Sequence, residues 1–342
     1  MGKPTVHDIA NAAGVSLATV DRVLNGRPGV RAKTVERVNN AIALIGYTRD
    51  LSAANLARQR QYHFEFLLPA HENQTVIAFK AAIDEIRKSQ STERVEINLK
   101  SLPDNDPHEV VRMLNRLDAT KVNGVAIMAP ETPQLRDAIA HLKAQGIAVV
   151  ALVSDLPNSE IDHFAGINNQ AAGRTAATLI GRFSGDRTGT VLVIADSMLA
   201  RDSLERRLGF DSQMMQFAPR LKVLPSLETH SDKDRTTRIF RAVLSAHPDI
   251  RGVYVLGSGL KTLLEIIGAD EAYRDLIVVA HDLTPFTHQA LLDHAIDAVI
   301  TQDVGHLVRS SLRVLRAKTD GVATIASQER IRIEIVLREN LP

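Results

Sequence analysis

The sequence has no cysteine and no tryptophan, and aromatic residues make up 4% of its 342 residues. A chain without cysteine forms neither disulfides nor thiolate metal sites. No apolar run approaches the roughly 18 residues that a membrane-spanning helix needs, and the first residues do not show the pattern of a signal peptide. We therefore expect a cytoplasmic protein with no membrane partner.

Motifs of the common enzyme classes are missing as well. The sequence contains neither a His-Glu-x-x-His zinc motif nor a Gly-x-Ser-x-Gly nucleophile turn, and its 12 histidines show no metal-ligand spacing. The segment GSGLKT at residues 257–262 lacks the third glycine of a dinucleotide fingerprint and the Gly-Lys-Ser/Thr of a P-loop. We predict no catalytic residue, no metal and no cofactor.

Positive charge is concentrated at one end of the chain. Residues 1–60 hold nine Lys/Arg and four Asp/Glu, a net charge of +5, whereas the whole chain carries +1, so residues 61–342 carry −4. A small basic module on a mildly acidic body fits a polyanionic partner at that end. The alternative is a basic surface that is solvated and has no partner. Charge alone does not distinguish these two interpretations, so the helix pattern is needed as well.

The basic end has the pattern of a helix-turn-helix. Thr5 followed by Asp8 predicts the start of a first helix, and Gly14 predicts its end. Ser16 predicts the start of a second helix, which Asn25 and the following glycine stop. The turn between the two helices is short and contains a glycine, as this motif requires.

A third helix is expected over residues 32–45, so that three helices bury one small core. The expected core residues recur at helical spacing: Val6, Ile9, Ala10, Ala13, Val15, Val20, Val23, Leu24, Val35, Val38, Ile42 and Ile45. The second helix then faces outward with Leu17, Ala18, Asp21 and Arg22. Arg22 can donate to guanine O6 and N7, while Leu17 and Ala18 offer apolar contact to a thymine methyl. The alternative for Arg22 is an ordinary surface arginine.

The segments TVHDIANAAGVSLATVDRVLNG and VRAKTVERVNNAIALIGY resemble the DNA-binding headpiece of the lactose-repressor (LacI-type) family of bacterial transcription regulators. The resemblance implies base contacts from Leu17, Ala18 and Arg22, and phosphate contacts near Thr5, Ser16, Thr19 and Asn25. Three positions depart from the family pattern. Asp21 and Arg31 stand where serine is usual, and Val35 stands where arginine is frequent. Asp21 brings negative charge near DNA, whereas Arg31 can restore a phosphate contact.

Residues 48–61, TRDLSAANLARQRQ, form a short polar stretch whose alanines and Leu56 allow one or two helical turns. The resemblance implies that two such hinge helices pair in the minor groove, where Leu56 wedges into the central base step. A linker with a half-buried Leu56 is the alternative. Arg49 replaces a common proline and leaves the hinge looser.

Beyond Tyr62, short apolar runs alternate with helical stretches such as Pro107–Leu117 and Gln134–Gln145. The predicted strands are Phe64–Leu68, Val95–Leu99, Val125–Met128, Val149–Val153, Ala165–Ile167, Val191–Ile194, Val253–Leu256, Ile277–Ala280, Val299–Ile300 and Ile331–Leu337. This βαβ repetition predicts parallel sheets covered by helices, and the length favours two lobes. We expect a small all-α helix-turn-helix headpiece over residues 1–47, a hinge over 48–61, and an α/β body over 62–342 made of two doubly wound parallel-sheet lobes.

The body resembles, more weakly, the sugar-binding regulatory domain of the same family, which is shaped like a periplasmic binding protein. In such folds ligands sit at the carboxyl ends of the strands, in the cleft between the lobes. The polar residues expected there are His71, Asn73, Glu131, Ser154, Asp155, Asn168, Arg201, Asp202, Arg206, Ser258, Asp282 and Gln302, beside Pro130. Arg206, Asp282 and Gln302 match the family's ligand contacts best. Phe164 and Phe286 are the nearest aromatic rings for stacking on a sugar.

Each of these residues has a structural alternative. Arg206 pairs with Asp202 on a helix face, Asp282 caps the helix that starts near Pro285, or Gln302 is a surface residue at a strand end. The segment GSG at residues 257–259 stands where the family often has Ala-Asn-Asp, so Ser258 offers a hydroxyl in place of an amide. The effector therefore need not be a galactoside or a purine.

These patterns predict a sequence-specific DNA-binding transcriptional regulator, a repressor, controlled by a small sugar-like effector. Its expected partners are a pseudo-palindromic operator and a second copy of the chain. A dimer is expected because no long heptad tail follows the last predicted strand, as a tetramerising helix would require. The alternative is a small-molecule-binding protein or enzyme whose basic module does not read DNA specifically.

Overall fold

The computed structural model describes residues 4–47, 60–70, 74–89, 94–103, 106–230, 232–268 and 270–342. Contacts divide the chain into two compact units, Met1–Arg60 and Gln61–Pro342. The first unit contains the three predicted helices, and the second contains two parallel sheets with their helices.

The first unit is built of helices α1 (Val6–Ala13), α2 (Leu17–Leu24) and α3 (Ala32–Ile45). Its buried core consists of Ile9, Ala10, Ala13, Val20, Val38 and Ala41. Two expected core residues lie elsewhere: Val6 is 38% exposed, and Val35 does not belong to this cluster. Ala41 lies in the core instead, since it is one helical turn beyond Val38 on the inner side of α3.

Local side chains set the ends of α1 and α2. Thr5 and Asp8 form a capping box, in which the Thr5 N–H and hydroxyl donate to Asp8 Oδ2 at 2.7 and 2.8 Å. Gly14 ends α1 in the left-handed region, with φ +60°, which glycine adopts without a Cβ clash. Ser16 Oγ then accepts from the Thr19 N–H at 3.2 Å and starts α2.

The first lobe of the body has a five-stranded parallel sheet in the order β2-β1-β3-β4-β5. Its strands are β1 (Tyr62–Pro69), β2 (Val95–Leu102), β3 (Gly124–Ile127), β4 (Ala148–Leu152) and β5 (His163–Ala165). The connecting helices are α4 (Gln74–Ser89), α5 (Pro107–Asn115) and α6 (Pro133–Ala144).

The second lobe has a sheet in the order β12-β11-β10-β9-β6-β7, with β8 also pairing with β6. Its strands are β6 (Gly189–Ala195), β7 (Leu221–Val223), β8 (Leu227–Glu228), β9 (Ile250–Val255), β10 (Ile277–His281), β11 (Ala298–Thr301) and β12 (Glu334–Val336). Only β12 runs antiparallel to its neighbour in this sheet. The helices are α7 (Asn169–Phe183), α8 (Arg201–Phe217), α9 (Lys233–Ala246), α10 (Leu260–Ile267), α11 (Pro285–Leu292) and α12 (Val304–Asp320).

The chain crosses between the lobes three times. Helix α7 follows β5 of the first lobe but packs against α8, β10 and β11 of the second. Helix α12 follows β11 of the second lobe but packs against α4 and β4 of the first, and the chain then returns to form β12. The predicted architecture of two doubly wound lobes is confirmed, and the crossovers place the two strand-end edges face to face.

Close packing of α7 on α8 depends on two glycines. A Cβ at Gly173 would lie 1.9 Å from the Arg206 carbonyl oxygen, and one at Gly209 would lie 2.0 Å from the Gln170 carbonyl oxygen. Neither contact is possible for a side chain, so only glycine lets the two backbones approach this closely. This approach brings the Arg206 side chain of α8 within hydrogen-bond distance of Asn169 at the start of α7.

The predicted strands differ from the observed ones mainly at the edges of the sheets. Strand β5 lies two residues before its predicted position, and β7 and β8 were not predicted because they have only three and two residues. Ile331 is buried, although the last strand covers only Glu334–Val336. Within the described residues, no helix is long and apolar enough to cross a membrane.

Candidate DNA-binding helix and effector cleft

The outer side of α2 carries the predicted base-contacting residues. Leu17 is 42% exposed, and Ala18, Asp21 and Arg22 are also exposed, while Val20 is fully buried in the core. The Arg22 side chain makes no hydrogen bond or ion pair with any other described residue. Its five N–H donors are therefore available for an external acceptor, and the short helix leaves them beside an apolar surface.

The charge of Asp21 is compensated within the headpiece. Its Oδ1 accepts from Asn25 Nδ2 at 2.6 Å, and its Oδ2 forms an ion pair with Arg27 Nη1 at 3.3 Å. Asn25 Nδ2 also donates to the Asp21 carbonyl oxygen at 2.8 Å. Asn25 is therefore committed to α2 itself, whereas the sequence assigned it to phosphate contact. Arg27 was not singled out from the sequence, because the pairing depends on the turn that follows α2.

The remaining predicted DNA contacts lie at helix starts. Thr5 is engaged with Asp8, whose pKa is held below its ordinary value by the Thr5 backbone N–H and hydroxyl. The Ser16 and Thr19 hydroxyl oxygens lie 2.9 Å apart. Arg31 precedes α3 and is exposed, and its side chain makes no capping hydrogen bond. Leu56 and residues 48–59 of the predicted hinge, which covers residues 48–61, lie outside the described residues.

A residue that the sequence analysis missed ties α3 to the turn of the motif. The Arg37 guanidinium donates to the Ala13 and Gly14 carbonyl oxygens at the end of α1, the latter at 3.0 Å. These carbonyls have no partner within α1, so the arginine satisfies them and fixes the angle between α1 and α3. The sequence showed only an exposed basic residue on a helix, which gives no signal of this role.

In the body, polar groups at the facing strand ends bridge the two lobes. Arg201 Nη1 lies 3.0 Å from Glu131 Oε2, Ser154 Oγ donates to Asp202 Oδ1 at 2.8 Å, and Thr75 Oγ1 donates to Asp282 Oδ2 at 3.0 Å. Glu131, Ser154 and Thr75 belong to the first lobe, and their partners belong to the second. Predicted effector contacts are therefore engaged with each other across the cleft. His71 and Asn73 lie outside the described residues.

Arg206 is only 2% exposed and is held by several acceptors. Its Nε donates to Asn169 Oδ1 at 2.9 Å, its Nη1 donates to the Leu256 carbonyl oxygen at 2.8 Å, and its Nη1 lies 3.6 Å from Asp202 Oδ2. The alternative pairing with Asp202 is thus present, together with two hydrogen bonds that the sequence did not indicate. Arg206 therefore places a buried positive charge next to the end of β9 and beside Asp202.

A buried aromatic pair lies beside Arg206 and was not predicted. Tyr254 Oη and His281 Nε2 are 2.7 Å apart, and the Tyr254 ring stacks on Phe210 with centroids 4.7 Å apart. Burial and the nearby Arg206 charge lower the pKa of His281 well below its ordinary value, and burial raises the pKa of Tyr254. Both rings are therefore neutral near neutral pH.

Ser258 and Asp282 also have partners within the protein. Ser258 Oγ donates to Asp196 Oδ1 at 2.8 Å, and the Thr229 hydroxyl oxygen lies 2.6 Å from it. Asp282 does not cap α11, because Thr284 is the N-cap residue of that helix. Asp282 instead has φ +67°, and its carbonyl oxygen accepts from the Thr287 hydroxyl at 2.9 Å.

Gln302 is buried, in contrast to the surface position considered from the sequence. It is 5% exposed, and its Oε1 accepts from the Ile167 N–H at 3.2 Å. Ile167 lies in the crossover between β5 and α7, so Gln302 joins the end of β11 to the first crossover. A strand-end position alone does not distinguish a surface residue from one that the neighbouring crossover covers.

A cavity of about 670 Å³ opens beside the cleft. Its wall includes Asp155 after β4, the start of α7, Glu205 on α8, and the return segment that leads to β12. Among the predicted effector contacts, Asp155 and Asn168 line this cavity, and Phe164 does so too. Phe286 does not; it is 37% exposed on α11. No group of His, Asp and Glu within the described part of the chain is arranged to hold a metal ion.

Two family models cover the two units. Residues 5–50 match the model of bacterial regulatory proteins of the lacI family, and residues 64–322 match the periplasmic binding protein domain. The chain belongs to the periplasmic binding protein domain family and carries a lacI-family headpiece. The resemblance inferred from the sequence is therefore confirmed for both parts.

Curated relatives of this chain include catabolite control protein A. The protein from Streptococcus mutans is 30% identical over 162 residues, covering 46% of this chain and 47% of the relative. The protein from Staphylococcus xylosus is 24% identical over 258 residues, covering 72% and 71%. The chain spans about half the length of the first curated relatives that it matches.

Solved structures agree with the fold of the body. A glucose-galactose binding protein from Geobacillus stearothermophilus matches with a TM-score of 0.72 at 18% identity, covering 83% of this chain and 99% of that chain. A periplasmic solute binding protein from Actinobacillus succinogenes, with bound D-allose, matches with a TM-score of 0.73 at 13% identity, covering 82% and 98%. A putative LacI transcriptional regulator from Bacteroides fragilis has a TM-score of 0.69 at 18% identity, covering 82% and 98%.

Proposed function

We propose that this chain is a sequence-specific DNA-binding transcriptional repressor whose affinity for its operator is controlled by a small effector bound in the body. The observation that carries this proposal is the exposed side of α2, where the Arg22 side chain has no partner among the described residues and lies on the same side as Leu17 and Ala18. A surface arginine beside apolar side chains on a short capped helix matches the geometry that reads the major groove.

The charge of the headpiece supports binding to DNA. Residues 1–60 carry a net charge of +5, and the one acid on the outer side of α2, Asp21, is offset by Arg27 at 3.3 Å. Approach of a phosphate backbone therefore meets little repulsion from Asp21. Arg31 is exposed and directly precedes α3, and we propose that its side chain contacts a DNA phosphate in place of the usual serine hydroxyl.

Control by an effector follows from the bridges across the cleft. A ligand that binds between the lobes competes with the pairs Arg201–Glu131, Ser154–Asp202 and Thr75–Asp282, and so changes the balance between open and closed bodies. The ligand shifts DNA affinity only as far as it prefers one of these states, and DNA shifts ligand affinity by the same factor. We assign the effector to the sugar-like class, since two matching structures are named for glucose-galactose and D-allose.

In the proposed mechanism, two copies pair through their bodies and present two headpieces to a pseudo-palindromic operator in the cytoplasm. A symmetric dimer places two copies of α2 in successive major grooves, and the hinge segments with Leu56 enter the minor groove between them. The expected assembly is a dimer, and light scattering of the purified chain measures it. A stable monomer that binds operator DNA with full affinity contradicts this arrangement.

The proposal is tested by selecting preferred sites from a random DNA library with the full chain, and then comparing Arg22→Ala with Lys33→Ala. We expect Arg22→Ala to lose preference for one guanine in each half-site, by roughly 1–3 kcal/mol. Lys33 is an exposed cation outside α2, so Lys33→Ala should either reduce the affinity for all DNA sequences equally or leave it unchanged. A wild-type chain that enriches no sequence refutes the proposed function.

A further inference from the structure

The polar groups of the central cleft are largely satisfied by one another. Arg206 donates two hydrogen bonds and lies beside the negative charge of Asp202. Asp282 accepts a hydrogen bond from Thr75, and Ser258 donates one to Asp196. A ligand in that position has to break existing bonds before it forms its own, which reduces its net affinity. In the neighbouring cavity of about 670 Å³, by contrast, the Asp155 carboxylate has no ion pair with any described residue, and the volume is typical of small-molecule sites.

Asp155 and Glu205 give the wall of this cavity negative charge that the protein does not fully neutralise. Asp155 Oδ1 accepts from the Leu156 N–H at 2.8 Å, and its carboxylate has no ion pair with any described residue. Glu205 shares Arg201 with Glu131, at 2.8 and 3.0 Å. Burial raises the pKa of Glu205 against the effect of Arg201, and the negative charges of Asp155 and Asp202 raise it further. A cation at this point would be stabilised by both carboxylates.

The other charged groups of the wall do not pair with Asp155 or Glu205. Glu329 is neutralised by Arg313, whose Nε and Nη2 donate to it at 3.0 and 2.8 Å. Burial lowers the pKa of His163, so its ring is neutral near neutral pH, and its buried Nε2 has no hydrogen-bond partner within the described structure. Arg330, the only Lys or Arg among the described lining residues, is exposed to solvent.

The rest of the wall suits a hydroxylated ring. Phe164 packs against Gly166, where a Cβ would lie 2.4 Å from its ring, and it contributes an apolar surface to the cavity. Asn168 uses its Oδ1 for the Ala171 N–H at 2.8 Å, which leaves its amide N–H₂ as a donor. An aromatic surface with amide donors and carboxylate acceptors provides apolar contact and hydrogen bonds for a small polyhydroxyl molecule.

We propose that this cavity binds an amino sugar, with its ammonium group beside Asp155 and Glu205 and its ring against Phe164. The assignment rests on the proposed function, because it names the effector class of the same body. A neutral sugar offers no charge to the two carboxylates, and a sugar phosphate brings a like charge toward them. The amine is therefore the group that distinguishes the ligand.

Calorimetric titration of the full chain with matched sugar pairs tests this inference. D-glucosamine is compared with D-glucose, and D-galactosamine with D-galactose, near neutral pH, where most of the amine is protonated and the Glu205 carboxyl is less protonated than in acid. We expect at least one amino sugar to bind at least about tenfold more tightly than its parent. Asp155→Asn and Glu205→Gln, which remove charge with little change of shape, should each reduce this preference severalfold. Asp186→Asn is the matched control, since Asp186 is exposed and does not line the cavity.

Equal or weaker binding of both amino sugars, no binding of either, or a preference that survives both cavity variants overturns the inference. Circular dichroism of each variant checks that the fold is retained. Since the titration contains no DNA, its outcome is separate from site selection. If the amino sugars fail to bind but site selection succeeds, this inference is wrong and the proposed function stands. If an amino sugar binds as expected but no DNA site is enriched, the cavity assignment stands and the proposed function is wrong.

Discussion

Replacement of Arg206 by methionine tests whether the buried guanidinium holds the second lobe together. Methionine fills similar space but leaves the Asn169 Oδ1 and Leu256 carbonyl acceptors without their donors and Asp202 without a cation at 3.6 Å. Each buried acceptor left unsatisfied costs about 1–3 kcal/mol, and breaking a buried ion pair by removing one partner costs about 3–5 kcal/mol. Because these contributions overlap, we expect a loss of about 3–5 kcal/mol in the free energy of unfolding.

Urea unfolding of the full chain, followed by circular dichroism, measures this loss. Arg241→Met is the control, because Arg241 is exposed on α9 and pairs with no described residue, so its replacement should stay within about 0.5 kcal/mol of wild type. If Arg206→Met changes the free energy of unfolding by less than about 1 kcal/mol, the hydrogen bonds at 2.8 and 2.9 Å do not stabilise the lobe and the reasoning is refuted.

Two further predictions concern the same edge of the second sheet. Asp282→Ala removes the hydrogen bond from Thr75 at 3.0 Å, so the response of operator binding to effector should be lost while operator binding itself remains. A fluorescence titration with operator DNA measures both properties, and Asp275→Ala is the control because Asp275 is exposed. If Asp282→Ala leaves the response to effector unchanged, this hydrogen bond is not part of the switch. The pKa of His281 is lowered in the folded chain, so as the pH falls the unfolded chain takes up a proton on this histidine before the folded chain does. The stability that the neutral, buried His281 contributes is therefore present above about pH 6.5 and is lost as the pH falls below that value. His281→Gln, which can keep the bond to Tyr254, should make urea midpoints fall less steeply with acidification than in wild type, and parallel pH profiles would contradict the assigned burial effect.

The sequence predicted the headpiece well because its signals are local. Capping residues, the glycine after α1 and the apolar spacing all act within one or two helical turns, and the third helix was predicted with its observed bounds, Ala32–Ile45. The misplacement of Val6 and Val35 has the opposite cause. The rotation of a helix about its axis is set by the helices it packs on, and that information is not local.

The body shows the same division. Apolar runs identified its central strands, since a buried strand of a parallel sheet is apolar on both faces. They did not identify β7 and β8, whose three and two residues carry too little pattern. The polar residues that follow the strands could be identified from the sequence, but the sequence did not show that Glu131 pairs with Arg201 or that Gln302 is buried.

The order of the headpiece helices and of the central strands of the body, and the concentration of positive charge in the first sixty residues, follow from the sequence by itself. These properties depend on neighbours in the chain, whose spacing is the same in any conformation. Which charges are neutralised was decided only by the tertiary structure. Arg201 and Glu131 are seventy positions apart and meet at 3.0 Å because the crossovers bring two strand ends face to face, while Asp155, close by in the fold, receives no cation among the described residues.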